Sequence, residues 1–171
     1  MNYFVDRMVR AAKLDANLYD EVEADRTALS QSMLVVVLSS LAAGIGVIPQ
    51  GGTLGILTGM ITAIIGWLIW SYLTYIIGTK ILPTPETRAD YGELLRTIGF
   101  SSSPGLIRIL GVIPGLSQIV SIIAGIWMLV AMIVAVRQAL DYTSTFRAVG
   151  VCIIGWIIQT IIIAIFYSLF R

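Results

Sequence analysis

Four long apolar stretches restrict what this chain can fold into. They cover residues 28–48, 54–78, 117–137 and 148–170, and Arg137, at the end of one stretch, is their only charge. A helix of about 20 apolar residues crosses a bilayer core that is about 30 Å thick. Each stretch is long enough, so the sequence predicts an all-α polytopic membrane protein.

The composition agrees with a membrane protein and narrows its chemistry. Charged residues make up 12% of the chain, whereas soluble domains have about 25%. Histidine, the commonest general base and metal ligand, is absent, and Cys152 lies in an apolar stretch where it packs as a small hydrophobe. The net charge of +1 gives no reason to expect nucleic acid. We therefore expect no catalytic residue, no metal site and no motif-bound cofactor, although an apolar groove needs no motif to hold lipid, quinone or carotenoid.

A fifth candidate span, residues 93–113, contains breaks and charges. Three serines and Pro104 interrupt it, while Arg96 and Arg108 are about 18 Å apart along a helix, so both can reach an interface. The excess of positive residues on the cytoplasmic side is the same for four and for five spans, and both put the N-terminus inside. A re-entrant segment is the alternative, but the spacing favours five spans with a short, kinked third one.

The first 27 residues differ from the predicted membrane domain, residues 28–171. Phe4, Met8 and Ala12 share one helical face, with charged residues elsewhere. This pattern is typical of a cytoplasmic helix in the membrane interface or of one packed on the protein. Asp15 or Asn17 is expected to cap a second helix. The four acids of that helix predict a solvated face, with a cation or basic-partner site as the alternative.

Two connectors contain a proline that predicts their local structure. "GVIPQGG", residues 46–52, reads as a turn between the first two spans. Thr84-Pro85-Glu86 has the order of a cap, a first-turn proline and an acid, which predicts a helix start.

Small and aromatic residues predict contacts of the second span. A stripe of small side chains recurs every four residues and allows another helix, from this chain or from a second protein, to approach closely: Gly51, Gly55, Gly59 and Ala63. Trp67 and Trp70 suit the inner membrane interface, as do Arg96 and Arg108 at the two ends of the third span.

Two short motifs and the layout resemble the Yip family, named for Ypt/Rab-interacting proteins. "NLYDEV" keeps Leu18 and Tyr19 of an Asp-Leu-Tyr/Trp-Gly-Pro element, although it lacks the Gly-Pro. "GFSSSP" matches a Gly-Tyr-x-x-x-Pro element at Gly99, Phe100 and Pro104. The resemblance, which is nearer to prokaryotic members, implies five spans, a cytoplasmic N-terminus and a non-enzymatic protein of the cell membrane. Eukaryotic relatives engage small GTPases, but we do not infer GTPase binding for this chain because its first element is incomplete.

Three functions fit these expectations. The first is a scaffold or adaptor that organises a membrane complex or membrane shape, with lipid and other membrane proteins, or further copies of itself, as partners. The second is an accessory subunit of a larger energy-transducing or transport assembly. The third is a small transporter or channel, for which the broken third span would form the substrate site.

Overall fold

Helices are the only regular secondary structure in the described part of the chain. A computed structural model describes the backbone of residues 3–46 and 48–169, and the side chains of these except 48–54, 163, 166, 167 and 169. The seven α-helices described are α1 (Tyr3–Ala12), α2 (Ala16–Ala24), α3 (Ala28–Gly46), α4 (Ile48–Ile76), α5 (Tyr91–Phe100), α6 (Ser117–Ala139) and α7 (Thr145–Leu169). A π-helical turn, Ile77–Ile81, extends α4, and a 3-10 helix, Ser103–Val112, follows α5.

Four of these helices are long and apolar enough to cross a membrane. The candidate spans are Ala28–Gly46, Gly55–Ile81, which includes the π-helical turn after α4, Ser117–Ala139 and Thr145–Ile162. These are the four stretches predicted from their length and composition. The prediction of four long apolar helices is therefore confirmed.

The helix starts follow local hydrogen bonding. The Asp15 carboxylate caps α2 by accepting from the Asn17 amide at 3.0 Å. Asp90 and Glu93 form a capping box at the start of α5, in which each side chain accepts from the other residue's amide. The prediction of a helix start at residues 84–86 was wrong: this segment is a turn, in which the Thr84 amide donates to the Thr87 hydroxyl at 3.0 Å.

The first connector is shorter than expected. α4 begins at Ile48, so the proline, glutamine and glycines of residues 49–52 belong to the helix rather than to a turn. Proline is tolerated in a first helical turn because the amide there has no partner within the helix. Val47, between α3 and α4, lies outside the described residues.

The third candidate span is not one kinked α-helix. The α-helix ends at Phe100, and after Ser101 and Ser102 the chain continues as a 3-10 helix instead of returning to α-geometry. Pro104 supplies no amide hydrogen for an α-helical bond, and the Ser101 and Ser103 hydroxyls bond carbonyls three residues back at 2.7 and 2.8 Å. The break thus lies at the serines, just before the proline.

α5 and the 3-10 helix run beside α3 in the same direction. Three close approaches follow one another along the two segments: Ser32 with Gly99, Ser39 with Gly105, and Gly46 with Gly111. A Cβ atom on Gly99 would lie 2.5 Å from the Cβ atom of Ser32, so a larger residue does not fit there. The third segment therefore extends along α3 from near its start to its end.

Contacts between helix ends define the end of the bundle that carries α1 and α2. The Tyr142 hydroxyl, between α6 and α7, donates to the Leu82 carbonyl after α4 at 2.7 Å. Near the end of α6, the Gln138 amide donates to Asp20 of α2 at 2.7 Å. We call this the N-terminal end of the bundle. The ends of α3 and of the 3-10 helix and the start of α6 lie at the opposite end.

Candidate functional site

Arg7 of α1 is the centre of an ion-pair network with α2. Its side chain is 1% exposed, and Nε and Nη2 lie 2.8 Å from carboxylate oxygens of Glu21 and Asp25. Nη1 donates to the Gln31 side chain of α3 at 3.0 Å. Arg10 adds pairs with Asp15 at 2.8 Å and with Glu21 at 2.6 Å. These contacts fix α1 and α2 together, and we call the two helices the N-terminal pair.

The network keeps its carboxylates ionised. Burial disfavours the charged form of Glu21, but hydrogen bonds from Tyr3, Arg10 and Arg7 outweigh it, and the pKa falls to about 2. Hydrogen bonds from Thr27 and Arg7 lower the pKa of Asp25 to about 2. Three of the four acids at residues 20–25 thus have partners within the chain, since Asp20 accepts from Gln138. The described residues include no group of carboxylates, cysteines and histidines that could hold a metal ion.

Glu23, on the same helix, behaves in the opposite way. Burial and the neighbouring carboxylates of Glu93, Asp141 and Asp20 raise its pKa to about 7, although Arg96 acts against this rise. The charged form is disfavoured because water is partly excluded and the nearest charges are mostly negative. Glu23 therefore titrates near neutral pH.

Arg96 joins α5 to the end of α2. It is 6% exposed, and its Nε donates to the Val22 and Glu23 carbonyls at 3.0 Å. Carbonyls in the last turn of a helix have no helical partner and carry its negative dipole, so a guanidinium stabilises them. The sequence predicted a lipid-interface anchor at Arg96, and the structure places the side chain inside the protein.

The two family motifs meet in one buried cluster. Leu18 and Tyr19 of α2 and Phe100 of α5 are each fully buried and belong to the same apolar core as Met8. The Tyr19 hydroxyl donates to the Ala11 carbonyl at 3.3 Å. The motif residues thus pack the N-terminal pair against the third segment of the bundle.

Sequence reasoning did not find the second attachment of α1. Trp127, on α6, donates its indole N–H to the Ala12 carbonyl at 2.8 Å, across 115 residues of sequence. α1 packs on the bundle through Arg7, Met8 and Ala11, while Val5 and Val9 stay exposed. Of the two roles considered for α1, packing on the protein is present in the structure, and the exposed valines leave membrane contact open.

A groove of about 1280 Å³ lies between the long helices. Its wall on α4 includes Gly55, Gly59, Gly66 and Trp70, and the opposite wall includes Gly125 of α6. Hydroxyl groups line it from α3, α4, the break after α5 and α6: Ser39, Ser40, Thr58, Thr62, Ser101, Ser102 and Ser121. The residues that line it include no acid, and Arg108 is its one charged group.

The small-residue stripe faces this groove. A Cβ atom on Gly55 or Gly59 would meet no atom within 4 Å, so no helix of this chain packs on them in the described structure. Ala63 packs against the core near Trp67, and the side-chain position of Gly51 lies outside the described residues. Close approach within the chain occurs instead at Gly99 and Gly105, which carry no such periodic signal.

The predicted aromatic anchors are inside the bundle. Trp67 is 7% exposed, and its indole N–H donates to the Leu95 carbonyl of α5 at 3.0 Å. Trp70 lines the groove, and its ring lies 3.2 Å from the Cβ position of Gly155 on α7. Both residues therefore connect α4 to its neighbours.

These features define a polytopic helical membrane protein with an attached N-terminal helix pair. The model of the Yip1 domain matches residues 19–167, most of the chain, and the chain belongs to the Yip1 family. No curated protein and no solved structure shows significant similarity to it.

Proposed function

We propose that the protein is a non-enzymatic membrane adaptor of the Yip1 family with five membrane crossings. The observation that carries the proposal is the attachment of the N-terminal pair to the third segment, through Arg96 and the buried Phe100. Because of this attachment, the N-terminal helices and the membrane bundle form one body. An adaptor needs its membrane bundle and its N-terminal helices to be joined in this way, because it has to hold a membrane partner in a fixed position relative to a cytoplasmic surface.

The close approaches between α3 and the third segment support five crossings. Ser32 and Gly99 meet near the start of α3, and Gly46 and Gly111 meet at its end. A segment that follows a membrane-spanning helix from one end to the other crosses the same layer. An α-helix of ten residues and a 3-10 helix of ten residues reach about 35 Å together if they are collinear, enough for a core of about 30 Å.

The charge distribution supports a cytoplasmic location for the N-terminal end. With five crossings, nine of the 11 lysines and arginines fall on that side, since Arg108 and Arg171 are the two exceptions. Positive residues concentrate in cytoplasmic segments. We therefore infer that the N-terminal pair is in the cytoplasm and that the protein is in a cell membrane. This agrees with the resemblance of its motifs to those of prokaryotic family members.

The outward face of α4 is the surface proposed for a membrane partner. Leu57, Ile61 and Ile65 are each at least half exposed, and none of them lines the groove. A photo-reactive amino acid at Ile61, in native membranes, is expected to capture a defined membrane protein. The same probe at the buried Leu94 is the matched control and should capture none. Monomeric migration on a native gel, without capture at Ile61, would contradict the adaptor.

The same gel tests the second candidate function. Co-migration with a large energy-transducing or transport assembly would make the protein an accessory subunit.

The third candidate function, a transporter, is favoured by one observation, namely that Ser101 and Ser102, at the helix break, line the groove. Flux into liposomes that is unchanged when Ser102 and Pro104 are substituted would exclude it.

A further inference from the structure

Arg108 is a cation without a counter-charge in the groove. It is partly buried, and among the described residues it has no hydrogen-bond or ion-pair partner, whereas Arg7, Arg10 and Arg96 all have partners. The remaining unpaired cations of the described chain, including Arg26 and Arg88, are exposed. A positive charge that is partly removed from water is stabilised by an anion.

The position of Arg108 fits an anion at the membrane surface. Its backbone carbonyl contacts Gly46 at the end of α3, so the residue lies towards the end of the bundle away from the N-terminal pair. From Gly55 to Trp70 the groove extends about 22 Å along α4, most of the depth of one hydrocarbon core. A ligand that fills it has a charged group at one end and a long apolar part.

The walls of the groove fit an acyl chain better than a second helix. Gly55, Gly59 and Gly125 leave open space on both sides, and apart from Ser121 the rest of the α6 wall is apolar, with Met128, Leu129, Met132 and Ile133. Methionine adapts to irregular flexible ligands. The volume of about 1280 Å³ exceeds the 300–1,000 Å³ that is typical for small-molecule pockets.

We propose that the groove binds one anionic phospholipid, with its phosphate on Arg108 and an acyl chain along the glycines of α4. Guanidinium groups bind phosphate through two parallel hydrogen bonds, which makes the contact selective for an exposed phosphate charge. A zwitterionic lipid brings a positive group beside the same arginine, so it binds more weakly.

Native mass spectrometry of the purified full chain tests this proposal. The protein is equilibrated in micelles with phosphatidylglycerol or with phosphatidylcholine of the same acyl chains. The wild type is expected to retain one phosphatidylglycerol and at least about tenfold less phosphatidylcholine, as befits a charge-assisted hydrogen bond. Arg108→Gln should lose this preference, Arg108→Lys should keep part of it, and Arg88→Gln, which changes an exposed charge, should match the wild type.

A second pair of variants tests the groove rather than the charge. Gly125→Leu adds a side chain where no atom lies within 4 Å, so it should fill the groove without strain and reduce retention of both lipids. Ala164→Leu, on an exposed position of α7, is the control and should change neither. Equal retention of the two lipids by the wild type, an unchanged preference in Arg108→Gln, or a protein dimer free of lipid would overturn the proposal. None of these results depends on whether the chain is an adaptor.

Discussion

α3 and α4 are both long apolar helices, yet they have different surroundings. In an apolar 18-residue stretch of α3, 33% of the residues are buried, but in the corresponding stretch of α4 only 11% are buried. α3 is packed against the 3-10 helix, α4 and α5, and it also contacts the N-terminal pair through Gln31. α4 packs against α3 and α5, but it has the groove on one face and exposed leucine and isoleucine on another. The difference shows that hydropathy identifies a membrane-spanning helix but does not indicate how much of that helix other helices bury.

The surroundings of α3 and of α4 also differ in the kind of polar contact that they contain. The ion pairs described lie in the N-terminal pair, and its arginine Arg7 also bonds α3. α4 is joined to α5 by hydrogen bonds without a charge: the Trp67 indole donates to the Leu95 carbonyl, and the Tyr91 hydroxyl donates to the Leu68 carbonyl. The half of the molecule around α3 and the N-terminal pair, which we call the packed half, thus contains the ion pairs described, and neutral hydrogen bonds join α4 to it.

The largest effect is expected from the centre of the packed half. Arg7→Met leaves the Glu21 and Asp25 carboxylates without their shared partner, which costs about 3 kcal/mol, the lower end for broken buried pairs because each carboxylate is about 30% exposed. Thermal unfolding in detergent measures the loss. Arg26→Met, which removes an exposed arginine nearby, is the control, and an equal effect of both would show that the network adds no stability.

The close approach at Gly99 should be the next most sensitive point. Gly99→Ala puts a Cβ atom 2.5 Å from the Ser32 Cβ and 3.0 Å from its carbonyl oxygen, so α3 and α5 must separate. Overpacking of this kind costs about 1–3 kcal/mol. The same unfolding measurement applies, and a stability equal to that of the wild type would mean that the two helices are not in this contact.

Titration of Glu23 should change the attachment of the N-terminal pair with pH. Its pKa in the folded protein is about 7, above the ordinary 4.5, so the folded state is stabilised at pH below 4.5 and loses that stability as pH rises towards 7. Glu23→Gln should therefore raise stability at pH 8 by about 1 kcal/mol after screening by water, with no gain at pH 4.5. A gain that is equal at both pH values would contradict the assigned pKa.

The smallest effect is expected in the groove. Gly59→Ala, the counterpart of Gly99→Ala, meets no atom within 4 Å and improves helix propensity, so stability should stay the same or rise by up to about 1 kcal/mol. A loss as large as that of Gly99→Ala would show that another helix occupies the groove.

The sequence predicted the four long helices because each stretch is long enough to cross a membrane core and Arg137, at one end, is their only charge. It also predicted a cap at Asp15 or Asn17 from a local signal, and the cap is at Asp15. It did not predict that Gly99 rather than Gly59 provides the close contact, since spacing along one helix does not specify which face has a neighbour. Nor did it predict the burial of Arg7 and Arg96, because their partners are on other helices.

Five membrane crossings require that the third segment crosses the membrane beside α3. Single cysteines at Leu116, before α6, and at Ser144, before α7, report the two sides in intact cells, because both positions are exposed and Cys152 is buried. With five crossings, a membrane-impermeant maleimide should label Leu116→Cys from outside and leave Ser144→Cys unlabelled. Labelling of Ser144→Cys from outside, with Leu116→Cys protected, would show that the third segment stays on the cytoplasmic side.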